Sequence, residues 1–101
     1  MVLAVNHQSI RVAVIGAGSW GTTVASLAAE NTPTVLWARR TELADVMTRT
    51  RSNPDYLGEF SLPESLQFTA DMSHAVGDAD VVVMAVPSHG FREVVAEVAR
   101  F

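Results

Sequence analysis

The chain has 101 residues, of which 49% are hydrophobic and 18% charged, enough for one small packed domain and too apolar for an unfolded tail. Its net charge of −4 argues against non-specific binding to nucleic acid or to an anionic membrane surface. Cysteine is absent, which excludes disulfides, thiolate metal sites and cysteine nucleophiles, and all 7 basic residues are arginine, so no lysine is present.

The N-terminus, MVLAVNHQSI, lacks the basic region of a secretory signal. A cytoplasmic protein is expected, with residues 1–9 loosely ordered and His7 a solvated tail histidine. Residues 11–16 (RVAVIG) form a short β-branched run that reads as a buried strand. An alanine-rich helix follows from Ser19 or Trp20 to Asn31, ending near Pro33, with Gly21, Ala25 and Ala28 on a flat face suited to close packing on a sheet. Residues 34–38 (TVLWA) make the next strand. Thr41 offers an N-cap to a helix whose apolar face carries Leu43, Val46, Met47 and Thr50.

Residues 51–65 hold Asn53-Pro54, Gly58 and Pro63 and read as a loop anchored by Tyr56, Leu57 and Leu62. A strand at residues 66–70 leads to Asp71, which can cap a brief helix that Gly77 ends. Residues 80–86 (DVVVMAV) form a nearly continuous apolar strand, typical of one covered on both faces, and their apolar run, Val81 to Val86, is the longest in the chain and too short to span a bilayer. Pro87 stops it, and Ser88 can cap a last helix with Phe91, Val94, Val95 and Val98 inward.

Strands alternating with helices predict a parallel sheet with right-handed crossovers. The fold class is α/β, a Rossmann-type doubly wound parallel sheet of about four strands in the order 3-2-1-4, occupying residues 10–101. The fourth strand would be interior in a complete sheet of this type, so the sequence reads as the first part of a larger protein. An uncovered apolar edge there favours pairing with another chain, which allows a homo-oligomer.

Gly16-Ala17-Gly18-Ser19-Trp20-Gly21 is a G-x-G-x-x-G placed between strand and helix, where a diphosphate-binding turn requires it. Gly16 permits the turn, Gly18 lets a pyrophosphate approach the backbone, and Gly21 lets the helix pack close to the strand. Amides of Ser19, Trp20 and Gly21 then face the anion at the positive end of the helix dipole. At the end of the second strand, an NAD site usually carries an acid for the ribose hydroxyls. Here Arg39 and Arg40 stand instead, which attract a 2′-phosphate, so NADP or NAD is the expected cofactor; Arg39 can also stack on the adenine.

These residues carry a resemblance. Gly16-Ala17-Gly18-Ser19-Trp20-Gly21-Thr22, with Leu36-Trp37-Ala38-Arg39-Arg40, resembles the bacterial NAD(P)-dependent glycerol-3-phosphate dehydrogenases. Asn53-Pro54-Asp55-Tyr56-Leu57 followed by Leu62-Pro63, and Ala85-Val86-Pro87-Ser88-His89, are similar to further segments of that family, so the likeness covers residues 11–101. Gly58 stands where the family pattern has proline. The resemblance implies reversible hydride transfer between NAD(P)H and dihydroxyacetone phosphate, giving sn-glycerol 3-phosphate for phospholipid synthesis. It also implies that Ser19, Trp20, Arg39 and Arg40 contact the cofactor and that Pro87 lies near the nicotinamide ribose. The family uses lysines for catalysis and a helical domain for the substrate. Neither is in this chain, which is therefore expected to be inactive alone, with no catalytic residue of its own.

The remaining candidates are bland. His89 reads as a turn residue, His74 as a solvated one, and Asp78 and Asp80 as a turn and cap before a strand. The three histidines lack metal-ligand spacing. No serine belongs to a nucleophilic triad. The alternatives are another NADP-dependent reductase, of ketopantoate or β-hydroxyacid type, and a non-catalytic NAD(P)-sensing module. Trp20 and the Tyr56-Leu57 segment speak against the first.

Overall fold

A computed structural model describes residues 10–55 and 60–101. The expectations for His7, Tyr56, Leu57 and Gly58, and for the side chain of Ser88, lie outside the described residues. The elements alternate as β1 (Val12–Ile15), α1 (Ser19–Ala29), β2 (Thr34–Trp37), α2 (Thr41–Thr50), β3 (Leu66–Thr69), α3 (Met72–Val76), β4 (Val81–Met84) and α4 (Ser88–Val98). All strand pairs are parallel, and the sheet order is β3-β2-β1-β4, as the alternation predicts.

The period of two along each strand divides the core into two layers. Val14 and Leu36 face α1 and α2, packing with Ala25, Leu43, Met47 and Leu66. Ala13, Ile15 and Trp37 face the other way, against Met72 and Val76 of α3 and Val94 of α4. The inner stripe of α1 is Gly21, Thr22, Ala25 and Ala29, so the small face falls on Ala29 rather than Ala28. Small side chains let this helix lie close over β1 and β2. Asp71 caps α3 as expected, its carboxylate accepting from the amides of Ser73 and His74, with Gly77 at the C-cap.

Several expectations need correction. Arg40 and Pro87 occupy the cap positions of α2 and α4, so these helices begin at Thr41 and Ser88 themselves. Thr50 is exposed and spends its hydroxyl on the Val46 carbonyl (2.7 Å) instead of packing. β4 is covered on both faces only in its second half: Val83 packs on one core layer and Met84 on the other, but Val81 and Val82 remain 44% and 36% exposed, and the strand pairs with β1 alone among the described residues. On α4 only Val94 is fully buried and Val98 partly so, while Phe91 and Val95 face outward. An edge position removes the neighbours that the apolar pattern anticipates.

The loop after α2 is held by an arginine as well as by buried Leu62. Arg51 adopts left-handed backbone (φ 57°) and closes the helix through its N–H to the Met47 carbonyl (2.8 Å). Its carbonyl accepts the Leu62 N–H (2.7 Å), and its guanidinium donates to the carbonyls of Pro63 and Leu66 while lying 4.8 Å from the Phe68 ring centre. That arrangement returns the chain to β3 along the same side of the sheet as α2.

Candidate functional site

The site is built where the chain leaves β1. The carbonyl of Ile15 accepts the amide of Ala85 (2.8 Å), and the amide of Gly16 donates to the carbonyl of Trp37 (3.0 Å). These bonds hold the carboxyl ends of β4, β1 and β2 side by side. Gly16 has φ +120°, a backbone conformation that side chains resist, and a Cβ there would stand 2.4 Å from the Ala85 carbonyl oxygen. Gly21 is restricted differently: its Cβ would come within 1.8 Å of the Gly16 carbonyl oxygen. The start of α1 therefore packs directly on the turn.

Gly18 differs from both. A Cβ added there would meet nothing within 4 Å. Its hydrogen faces open space, as a position kept clear for a ligand requires. The first bond of the helical ladder runs from Thr22 N–H to the Gly18 carbonyl (2.9 Å), so the amides of Ser19, Trp20 and Gly21 precede it. Gly18 in the cap position makes no side-chain hydrogen bond, and no acidic side chain occupies the first turn. The positive end of the dipole is left to an external anion.

A cleft of about 860 Å³ lies in front of these amides. Its walls include Gly16, Gly18, Ser19 and Trp20 from the turn, Arg39 and Arg40 after β2, and Pro87 and His89 after β4. It is thus at the switch point of the sheet, between β1 and β4, where doubly wound folds bind nucleotides. Every residue proposed from the sequence lines this cleft except Gly21, which shapes it from behind. Trp20 is 60% exposed and stands at the rim. A second cavity, about 350 Å³, opens at the amino ends of the strands beside Arg11, Thr34 and His74, away from the switch point.

The two arginines are not equivalent. The Arg39 guanidinium lies over the Trp37 ring, 6.0 Å from its centre, and has no carboxylate partner among the described residues. The indole of Trp37 is itself fixed by donating to the Ala70 carbonyl (3.1 Å). Arg40 pairs instead with the carboxylate of Asp55. Asp55 follows Asn53, which is fully buried and donates from Nδ2 to the Ala17 carbonyl (3.0 Å) and to Thr22 Oγ1 (2.9 Å). The Asn53 Oδ1 accepts the Asp55 amide (3.1 Å). One side chain thus ties the glycine turn, α1 and the Asp55 loop together.

Sequence reasoning quoted Asn53 and Asp55 in a motif but gave neither a role. Asn-Pro followed by Asp is compatible with an Asx turn, in which Asn53 Oδ1 accepts the backbone amide two residues on, but the distant partners of Asn53 leave no trace in a local pattern. The described residues contain no cluster of three metal-ligating side chains. Their helices include none long and apolar enough to cross a membrane.

The residues present fit a dinucleotide. Gly18 leaves the clearance that a diphosphate needs, unshared amides precede the ladder of α1, and guanidinium groups stand on the same cleft after β2.

Comparison with known proteins gives one answer. Residues 11–101 match the family described as NAD-dependent glycerol-3-phosphate dehydrogenase N-terminus. The chain is 48% identical over 99 residues to a glycerol-3-phosphate dehydrogenase (NAD(P)+) of Mycobacterium avium, covering 97% of this chain and 29% of that protein. A second such enzyme, from Sphingopyxis alaskensis, is 48% identical over 88 residues, covering 87% of this chain and 26% of the relative. The crystal structure of a glycerol-3-phosphate dehydrogenase from Coxiella burnetii superposes with a TM-score of 0.84 at 30% identity, covering 91% of this chain and 29% of that one. A glycerol-3-phosphate dehydrogenase from Saccharomyces cerevisiae gives 0.82 at 26% identity, over 90% of this chain and 30% of that one. The chain therefore spans about three-tenths of the length of these relatives.

Proposed function

This chain belongs to the NAD-dependent glycerol-3-phosphate dehydrogenase N-terminal family, and we propose on that basis that it holds NADP or NAD for reversible hydride transfer between the nicotinamide and a glycerol 3-phosphate carbon. The oxidised product is dihydroxyacetone phosphate, and the reduced one, sn-glycerol 3-phosphate, serves phospholipid synthesis in the cytoplasm. The observation that carries this reading is the open face of Gly18 before the uncapped start of α1, at the switch point of the sheet.

In this reading Gly16 and Gly21 shape the turn, and Gly18 admits the diphosphate. The amides of Ser19, Trp20 and Gly21 donate to it, and Trp20 covers it from the rim. Arg39 and Arg40 meet the adenosine end, and Pro87 borders the nicotinamide ribose. Arg39 is the better placed for a 2′-phosphate, because Arg40 is already paired. The bound nicotinamide supplies the hydride. The family resemblance assigns proton transfer at the substrate oxygen to a lysine, and this stretch contains none, so the part proposed for it is binding and orientation.

The test is an activity screen of the full-length protein with NADPH and NADH against dihydroxyacetone phosphate and ketopantoate. Turnover of dihydroxyacetone phosphate is expected. Turnover of ketopantoate alone, or tight cofactor binding without turnover of either, overturns the substrate assignment.

A further inference from the structure

The Arg40–Asp55 pair lies on the wall of the cleft after β2, and its place there bears on which dinucleotide binds. Residues 38–40 lack the acid that usually holds the ribose hydroxyls. The fold supplies one from elsewhere: Asp55, 15 positions beyond Arg40, reaches the same wall. Its position is not accidental to the loop. The Asp55 amide is bonded to Asn53 Oδ1, and Asn53 Nδ2 is bonded to the Ala17 carbonyl inside the glycine turn. The carboxylate is therefore carried on an arm whose base is the phosphate turn itself.

Charge decides what this carboxylate does. A ribose with a free 2′-hydroxyl can donate to it. A 2′-phosphate meets repulsion from it and finds one of the two guanidinium groups already neutralised. Both side chains of the pair are partly open, 58% for Arg40 and 45% for Asp55, so an arriving anion competes for Arg40 instead of being shut out. Arg39, without a carboxylate partner among the described residues, pulls the other way. We infer that Asp55 is a specificity-determining residue: through Arg40 it biases the site toward NAD and restrains its preference for NADP. This rests on the cofactor reading of the cleft and deepens it.

The experiment measures dissociation constants of NADPH and NADH by calorimetry on the full-length protein, for wild type, Asp55→Asn, Arg40→Ala and the double variant. Asp55→Asn is expected to tighten NADPH about two- to fivefold, the range of an exposed ion pair, without tightening NADH. In the Arg40→Ala background the same change is expected to shift NADPH affinity less. An unchanged NADPH-to-NADH ratio in Asp55→Asn, or an equal effect with and without Arg40, overturns the inference while leaving the site intact. Failure of the wild type to bind either cofactor overturns the reading of the cleft itself. The partial exposure of Asp55 makes misfolding of the variant an avoidable confusion, which the double variant and a melting curve separate from a loss of binding.

Discussion

Replacing Gly18 with alanine separates folding from binding in this protein. Gly18 has φ −78° and ψ −169°, extended backbone open to any residue, and nothing lies within 4 Å of the added Cβ. Two small effects on stability oppose each other. Alanine narrows the unfolded ensemble, worth about 0.4–1 kcal/mol. It is also a poorer N-cap than glycine by a similar amount. The net change in unfolding free energy is expected to stay within about 0.5 kcal/mol. Binding behaves otherwise, because the methyl fills the space through which a diphosphate reaches the helix amides. Losing one charge-assisted hydrogen bond costs about 1.5–3 kcal/mol, so affinity for NADPH and NADH should fall about tenfold or more. Gly21→Ala is the contrasting case. Its Cβ would lie 1.8 Å from a backbone oxygen, far inside the 3.0 Å that real contacts respect, so α1 must move off β1. Overpacking of this kind costs about 1–3 kcal/mol before binding is considered. Urea unfolding and calorimetric titration of both variants measure the difference. A Gly18→Ala protein of wild-type stability and wild-type cofactor affinity would refute the reasoning.

Arg39→Ala should weaken NADPH binding about tenfold more than NADH binding, the worth of one charge-assisted bond; Arg40→Ala should show a smaller difference, because its guanidinium is already engaged by Asp55. Equal changes for both cofactors would remove the role given to the 2′-phosphate. Asn53→Ala leaves the Ala17 carbonyl and the Thr22 hydroxyl without their buried partner and should cost about 1–3 kcal/mol, read as a lowered urea midpoint at constant slope. The Asp71 carboxyl is held below its usual value, first by the Ser73 hydroxyl and then by the His74 amide. A lowered folded value means that its contribution is present above 3.8 and is lost as pH falls through the lower value. Asp71→Asn should therefore melt below wild type at neutral pH, with the gap closing in acid. A gap of constant size across that range would count against the charge-based cap.

The fold was legible because its signals are local. The run before Gly16, the small stripe of α1 and each of the alternating strands and helices lie within a dozen residues, and chirality does the rest. The glycine turn was legible for the same reason. What escaped depends on distance along the chain. Asn53 reaches partners 36 and 31 positions away, and Asp55 meets Arg40 across 15. No periodicity reports such contacts. The apolar pattern of β4 and of the Phe91 side of α4 implies neighbours that the described sheet does not place there, because β4 is its edge. The sequence also treats Arg39 and Arg40 as a pair, whereas the fold divides them into one guanidinium over Trp37 and one paired with Asp55.

The central claim is that amide hydrogens at the start of α1 hold the diphosphate of a dinucleotide. Backbone amide resonances of the full-length protein, followed during titration with NADPH, test it directly. The account predicts large, saturable shifts at Ser19, Trp20 and Gly21, with much smaller ones at residues of the cavity at the amino ends of the strands. Unmoved resonances at those three amides in a protein that binds NADPH would contradict it.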